Sequence, residues 1–236
     1  MKKTLLATTL ATITLISNSS AFATDSVDLS VGGTIAPASC TPTLSSGGTF
    51  DYGDIKADTL KTGDYTILPE KGLDLSITCD SKAKIALRGM SGRKGSVAGP
   101  AEDSSGVAML GGTVKIPGMG TIPVIGLGLD GSTKIGGYSV IISDATIDGQ
   151  VADIINRSSQ SSIYPSWSTT NNTSEIMSTQ PDLRISWAAK GETNPVSFKT
   201  MVARVVIKPY INVSSSLNLT KPIKLDGLAT LELMYL

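Results

Sequence analysis

Two cysteines and scattered carboxylates are the side chains of this chain best suited to chemistry, since its 236 residues include no histidine. The absence of histidine excludes the Ser–His and Cys–His pairs of nucleophilic hydrolases. A closed zinc site needs four ligands, which two thiols cannot supply alone. Paired carboxylates would suit a glycosidase or a calcium site, but solvated turn aspartates are the favoured interpretation of Asp103, Asp130, Asp144 and Asp148. We therefore predict no catalytic residue, no metal and no cofactor, and a protein that is not an enzyme.

Three short motifs resemble active-site signatures without their required context. Residues 126–131 read G-x-G-x-x-G, but a dinucleotide site needs a helix after it, and the following segment is Gly-rich and then β-like. Residues 91–94 read S-x-x-K and residues 61–63 read K-T-G, in the reverse of the order found in penicillin-binding enzymes. We interpret all three motifs as turns or loops.

The N-terminus has the composition of a secretory signal. Lys2 and Lys3 precede a mostly apolar run over residues 5–16, and Ala21-Phe22-Ala23 fits the small-x-small cleavage rule. The run is too short to span a bilayer. Cleavage after Ala23 removes two of the 20 basic residues and none of the 20 acidic ones, which leaves a net charge of −2. This charge gives no reason to expect a nucleic-acid partner.

Cys40 and Cys79 both lie in the exported part of the chain. An oxidising compartment favours a disulfide between them, and the alternatives are a metal site or a reactive thiol.

Short alternating runs predict an all-β fold with turns about every 8–12 residues, which is typical of a β-sandwich. Residues 73–79 and 83–87 predict a hairpin about Asp80-Ser81, and residues 198–211 predict a long central strand covered on both faces. Residues 156–181 are predominantly polar and predict a surface excursion in which Tyr164 and Trp167 are the aromatic anchors, with Trp167 as a candidate sugar-stacking residue.

Alternating strands are predicted near both ends of the exported chain. At the N-terminal end the apolar positions are Val27, Leu29 and Val31, and a second short strand is expected over residues 34–40. The C-terminal strand presents Ala229, Leu231, Leu233 and Tyr235 at every second position. Edges of this kind recruit other strands.

Several segments together resemble the chaperone–usher fimbrial (pilin) subunits, and more narrowly the fimbrial-like secreted enterobacterial proteins with a domain of unknown function. The matching features are the signal, VDLSV at residues 27–31, GGTIAPASC at residues 32–40, the Cys40–Cys79 spacing, TFDYGDI at residues 49–55 and IKLDGLATLELMYL at residues 223–236.

The resemblance implies an immunoglobulin-like, pilin-type β-sandwich that lacks its last strand, with long loop insertions in residues 90–135 and 150–195. A periplasmic chaperone would lend a strand, and the extension of a neighbouring fimbrial subunit would replace it at the outer-membrane usher. Val27, Leu29 and Val31 would be the donor side chains. Ala229, Leu231, Leu233 and Tyr235 would form the edge that binds the chaperone or the next subunit.

The resemblance thus implies a signal peptide over residues 1–23, a donor-strand extension over residues 24–31 and a sandwich domain over residues 32–236. The expected function is a fimbrial-like structural subunit that passes through the periplasm to the fimbrium or cell surface, with adhesion as an additional role. The alternative is a stand-alone secreted β-sandwich that binds a glycan or a host surface through its Gly-rich and Ser/Thr-rich loops, with its N-terminal strand folded into its own sheet.

Overall fold

The computed structural model describes residues 27–157, 166–170, 173–180 and 182–236. The signal peptide and Tyr164 lie outside the described residues. The chain divides into two units, of which the first ends at Ala36 and the second is Pro37–Leu236.

The Pro37–Leu236 unit is built from β-strands, and the predicted all-β fold is confirmed. The first eight strands are β1 (Cys40–Leu44), β2 (Thr66–Ile67), β3 (Lys71–Ala83), β4 (Ile85–Ser91), β5 (Ala108–Met109), β6 (Pro123–Gly126), β7 (Leu129–Asp130) and β8 (Thr133–Lys134). The remaining strands are β9 (Gly136–Ile147), β10 (Gln150–Arg157), β11 (Ser168–Thr169), β12 (Thr173–Glu175), β13 (Arg184–Ala189), β14 (Phe198–Ile211) and β15 (Ala229–Tyr235). Short 3-10 helices occupy Ser45–Gly48, Ala57–Thr59 and Ser214–Ser216, and none of the described residues lies in an α-helix.

The main strands form an antiparallel path in the order β1-β3-β14-β9-β10-β13-β4-β15. The first four strands and the last four enclose one core in a sandwich-like arrangement, because buried residues of both halves belong to the same hydrophobic cluster. Trp187 of β13 and Phe198 of β14 pack edge to face with ring centres 5.8 Å apart. The aromatic contact therefore fixes one half against the other.

The central strand is β14, which pairs with β3 on one side and β9 on the other. Its predicted range is confirmed, and one face is fully buried through Met201, Ala203, Val205 and Ile207. The prediction that both faces are covered is wrong for most of the strand, since Val202 on the second face is 45% exposed. Only near its end does that face enter a smaller core, where the Tyr210 hydroxyl donates to the Ala98 carbonyl at 2.7 Å.

The predicted hairpin between β3 and β4 is wrong. One residue, Lys84, separates the two strands, and they pair with different partners: β3 with β1 and β14, β4 with β13 and β15. Asp80 makes no turn because its carboxylate instead accepts the Ser39 backbone N–H at 3.0 Å. Ala83 and Ile85 are both buried, so the extended run continues from one half of the sandwich into the other.

Two further predictions need correction. The segment 156–181 is not wholly a surface excursion, since Ile176 and Met177 are buried and the short strands β11 and β12 pair with β10 and β9. The predicted strands over residues 27–31 and 34–40 do not form, since residues 27–39 belong to no strand and the first strand begins only at Cys40.

Candidate strand-binding groove

An open groove of about 760 Å³ lies between two non-strand segments, residues 49–60 and residues 217–225. Ile135 and Ile211 also line it, and both are buried members of the main core. The groove therefore gives access from the surface to side chains of the hydrophobic interior.

Apolar side chains line both walls and pack against the core while remaining partly exposed. They are Phe50, Tyr52, Ile55 and Leu60 on one wall and Leu217, Ile223 and Leu225 on the other. Sequence reasoning did not assign these residues to a site, although the i, i+2 spacing of Phe50 with Tyr52 and of Ile223 with Leu225 is the signal that could have found them. An apolar surface held half-buried in this way favours an apolar occupant.

The wall formed by residues 49–60 is held in place by Tyr52. Its hydroxyl donates to the Pro69 carbonyl at 2.8 Å, and the Lys71 ammonium lies 4.6 Å from the ring centre. Burial, assisted by the negative charge of Glu70, raises the pKa of Tyr52 to about 12. The phenol therefore keeps its proton near neutral pH and remains a hydrogen-bond donor.

The terminal strand continues from the second wall. Ala229, Leu231 and Leu233 are partly buried against the core, as their alternation predicts. Every residue of β15 pairs with β4, from Ala229 opposite Ser91 to Tyr235 opposite Ile85, and within the described ranges β15 has no other strand partner. One backbone edge of β15 is therefore open to pairing.

The first strand is the other end of the path. Each residue of β1 pairs with β3, from Cys40 opposite Cys79 to Leu44 opposite Leu75, and the predicted disulfide joins the first pair with an S–S distance of 2.03 Å. The Tyr235 hydroxyl accepts the Cys40 backbone N–H at 2.8 Å. The free-edged strands β1 and β15 thus meet at one end, where Tyr235 itself is half exposed.

Arg93 anchors the entry to the terminal strand. Its guanidinium donates to both carboxylate oxygens of Asp226 at 2.8 Å, and the Gly92 backbone N–H donates to the Leu228 carbonyl, also at 2.8 Å. The hydrogen bond from Arg93 holds the pKa of Asp226 below its usual range, and the guanidinium charge acts in the same direction. The pair fixes the chain where it passes from the groove wall into β15.

Acid should weaken this anchor. A carboxyl whose pKa is lowered by folding contributes stability above its unfolded pKa of about 4, and that contribution is lost as pH falls through the folded pKa. We expect Asp226→Asn to flatten the fall in Tm below about pH 4, measured by circular dichroism. Arg93→Gln should flatten it similarly, and the double variant should add nothing further. A decline of unchanged steepness in Asp226→Asn would contradict the assignment.

The structure does not assemble the scattered aspartates into one site. Asp103 accepts from Ser105 and Val107, Asp130 pairs with Lys221, and Asp148 accepts the Lys199 and Thr200 backbone N–H groups. In the part of the chain that the structure describes, no group of three or more His, Cys, Asp or Glu side chains could hold a metal. These aspartates therefore hold loops and strand ends locally.

The G-x-G-x-x-G motif forms a β-hairpin, as predicted. The strands β7 and β8 pair across a turn at Gly131, whose φ of +61° lies in the left-handed region. The described residues that directly follow the motif form β8 and β9 and not a helix, so its backbone amides are not arranged for a pyrophosphate.

The donor residues predicted from sequence lie in the first unit. Val27, Leu29 and Val31 are 93–96% exposed, and Ile35 is exposed as well. Their role as donors stays a prediction.

Comparisons with known proteins give distant similarities. The family model described as "Protein of unknown function (DUF1120)" matches residues 29–139. The chain is 26% identical over 227 residues to the protein named "Uncharacterized protein YhcF" of Escherichia coli K12, a match that covers 92% of this chain and 93% of the relative. It is 29% identical over 235 residues to "Protein GltF" of the same organism, with 92% of each chain covered. No solved structure matches.

None of the helices among the described residues is long and apolar enough to cross a membrane.

Proposed function

We propose that this chain is a fimbrial-like structural subunit, exported to the periplasm and assembled by donor-strand complementation through a chaperone and an usher. The observation that carries the proposal is the open groove between residues 49–60 and residues 217–225, together with the free backbone edge of the terminal strand β15. Adhesion would be an additional role of the assembled fibre.

An inserted strand would satisfy two needs of this groove together. Its backbone would pair with the free edge of β15, and its alternate side chains would cover the half-buried apolar walls. A helix could cover the walls but would leave the backbone edge of β15 unpaired. The arrangement therefore favours an extended occupant over a helical one.

Residues 27–35 of a second copy have the chemistry of such an occupant. Val27, Leu29 and Val31 share one face of an extended chain and are almost fully exposed in their own subunit. Each would contribute roughly 1.5–3 kcal/mol on burial. Nine extended residues span about 30 Å, which is enough to pair along the whole of the seven-residue β15.

The periplasmic chaperone would occupy the same groove before assembly, so that apolar surface is not left exposed to aggregation. The usher would then exchange the chaperone's strand for residues 27–35 of the incoming subunit. This order gives the two ends of the exported chain complementary roles.

Loss of Tyr235 and Leu236 should reduce capture by the chaperone. Tyr235 joins β15 to β1 through the Cys40 N–H, so its removal frees the end of the strand to which the chaperone would pair. We expect deletion of both residues to lower chaperone recovery in co-purification by about tenfold, equivalent to roughly 1.4 kcal/mol of binding. Tyr235→Phe removes only the hydroxyl and should have a smaller effect.

The matched control for this deletion is Leu129→Ala, which shortens an exposed apolar side chain on the β7–β8 hairpin. Recovery of the complex should be unchanged in the control. Undiminished recovery from the Tyr235 and Leu236 deletion would argue against the proposed edge.

A further inference from the structure

A second concavity, of about 560 Å³, collects three cationic side chains away from the groove. Its lining includes Lys84 between β3 and β4, Arg157 at the end of β10 and Arg184 at the start of β13. Trp167, Pro195, Tyr235 and Leu236 complete the lining, and the α-carboxylate of Leu236 lies more than 4.0 Å from each of the three cationic groups. No acidic side chain lines it among the described residues.

The two arginines occupy directly opposite positions in a β-ladder, where side chains of like charge are unfavourable. Arg157 and Arg184 stand directly opposite each other in the β10–β13 ladder, where like charges destabilise the pair. The other three arginines of the chain, Arg88, Arg93 and Arg204, each have a carboxylate within 4.0 Å. Over the described part of the chain, no carboxylate lies that close to Arg157, Arg184 or Lys84. An external anion would relieve this repulsion.

The site is also partly organised before any ligand arrives. The Arg157 guanidinium carbon lies 5.1 Å from the centre of the Trp167 ring, which limits the positions that the arginine can adopt. The Arg184 Nε is buried and donates to no acceptor among the described residues. A buried charged donor without an acceptor is costly unless a ligand provides one.

We infer that this concavity binds a carboxylate carried on a ring, such as an acidic sugar. The planar fork of an arginine matches a carboxylate in two parallel hydrogen bonds, and Lys84 adds a third positive charge. The Trp167 side chain and Pro195 provide an apolar wall against which the ring of the ligand can pack. The volume lies within the range of small-molecule sites. This inference does not depend on the groove or on fibre assembly.

The test is isothermal titration calorimetry, in which the full chain is titrated separately with glucuronate, N-acetylneuraminate and benzoate. Acetate supplies the carboxylate without a ring, and glucose supplies a ring without the charge. We expect at least one ring-bearing carboxylate to bind about tenfold more tightly than either comparator. Arg184→Gln should then weaken that binding by about tenfold or more, and Trp167→Ala by a few-fold.

The control is Arg204→Gln on β14, an arginine outside the concavity whose removal should leave the affinity unchanged. Arg157→Gln replaces Arg184→Gln if that variant fails to fold. Binding of a peptide of residues 27–35 to the same protein is measured in parallel. The peptide reports on strand binding and the ligands report on carboxylate binding, so the failure of one can be distinguished from the failure of the other. Ring-bearing carboxylates that bind no better than acetate or glucose, or unchanged affinity in the folded arginine variant, would overturn the inference.

Discussion

Deletion of residues 24–31 should abolish polymerisation while leaving capture by the chaperone intact. The deleted segment carries Val27, Leu29 and Val31, whose burial in a neighbouring groove would contribute roughly 1.5–3 kcal/mol each. The groove of the truncated subunit is unchanged, so the chaperone still has its binding surface. The measurement is the ladder of detergent-resistant, heat-labile species on unheated gels, together with chaperone co-purification.

A pair of single substitutions sharpens this experiment. Leu29→Asp places a charge on the face that would enter the groove, and we expect it to remove most of the ladder. Ser30→Asp adds the same charge one residue away on the opposite face, and assembly should persist. If the truncated chain still formed the ladder, the donor assignment would be wrong. A chain that melts cooperatively as a soluble monomer without chaperone would instead favour the self-complete binding module.

Removal of the disulfide should cause the second largest effect. Cys40 and Cys79 are 39 residues apart in sequence, and closing a loop of this length stabilises a fold by roughly 3–4 kcal/mol in the chain-entropy model. The double variant Cys40→Ala/Cys79→Ala should lose about that free energy of unfolding in urea.

The matched control is reduction of the wild-type protein, which opens the same cross-link without any substitution. Reduction of the wild-type protein should lower its midpoint in urea to that of the double variant, whereas the variant should not respond to reductant. A loss of less than about 1 kcal/mol would show that the β1–β3 ladder alone holds the strand, contrary to the expectation from loop closure.

Sequence patterns identified the long elements because burial imposes a period on them. β14 has its predicted bounds, β15 has its predicted alternation, and the cysteine pairing agrees with the expectation from the predicted export and the number of cysteines. The patterns failed where the same residue types are compatible with two different local structures. Asp80-Ser81 has the composition of a turn, but the Asp80 carboxylate caps the Ser39 N–H within a continuous strand.

The groove itself was only partly predictable. Its walls are irregular segments that belong to no strand, so no strand period marks them as a unit. Phe50 and Ile223 contribute to one surface although 173 positions separate them in the chain, and only the fold brings them together. The opposed arginines were missed for the same reason, since the β10–β13 register that pairs Arg157 with Arg184 is a property of the sheet.

The position of the disulfide has a mechanical consequence. Tension applied to the chain before Cys40 reaches the cross-link first and passes directly to Cys79, within β3. Since β3 pairs with the 14-residue β14, the load acts in shear on many ladder hydrogen bonds at once. Without the cross-link, the same load would separate β1 from β3 one hydrogen bond at a time. A chain pulled by its leading segment would therefore resist along one of its two longest strand pairings.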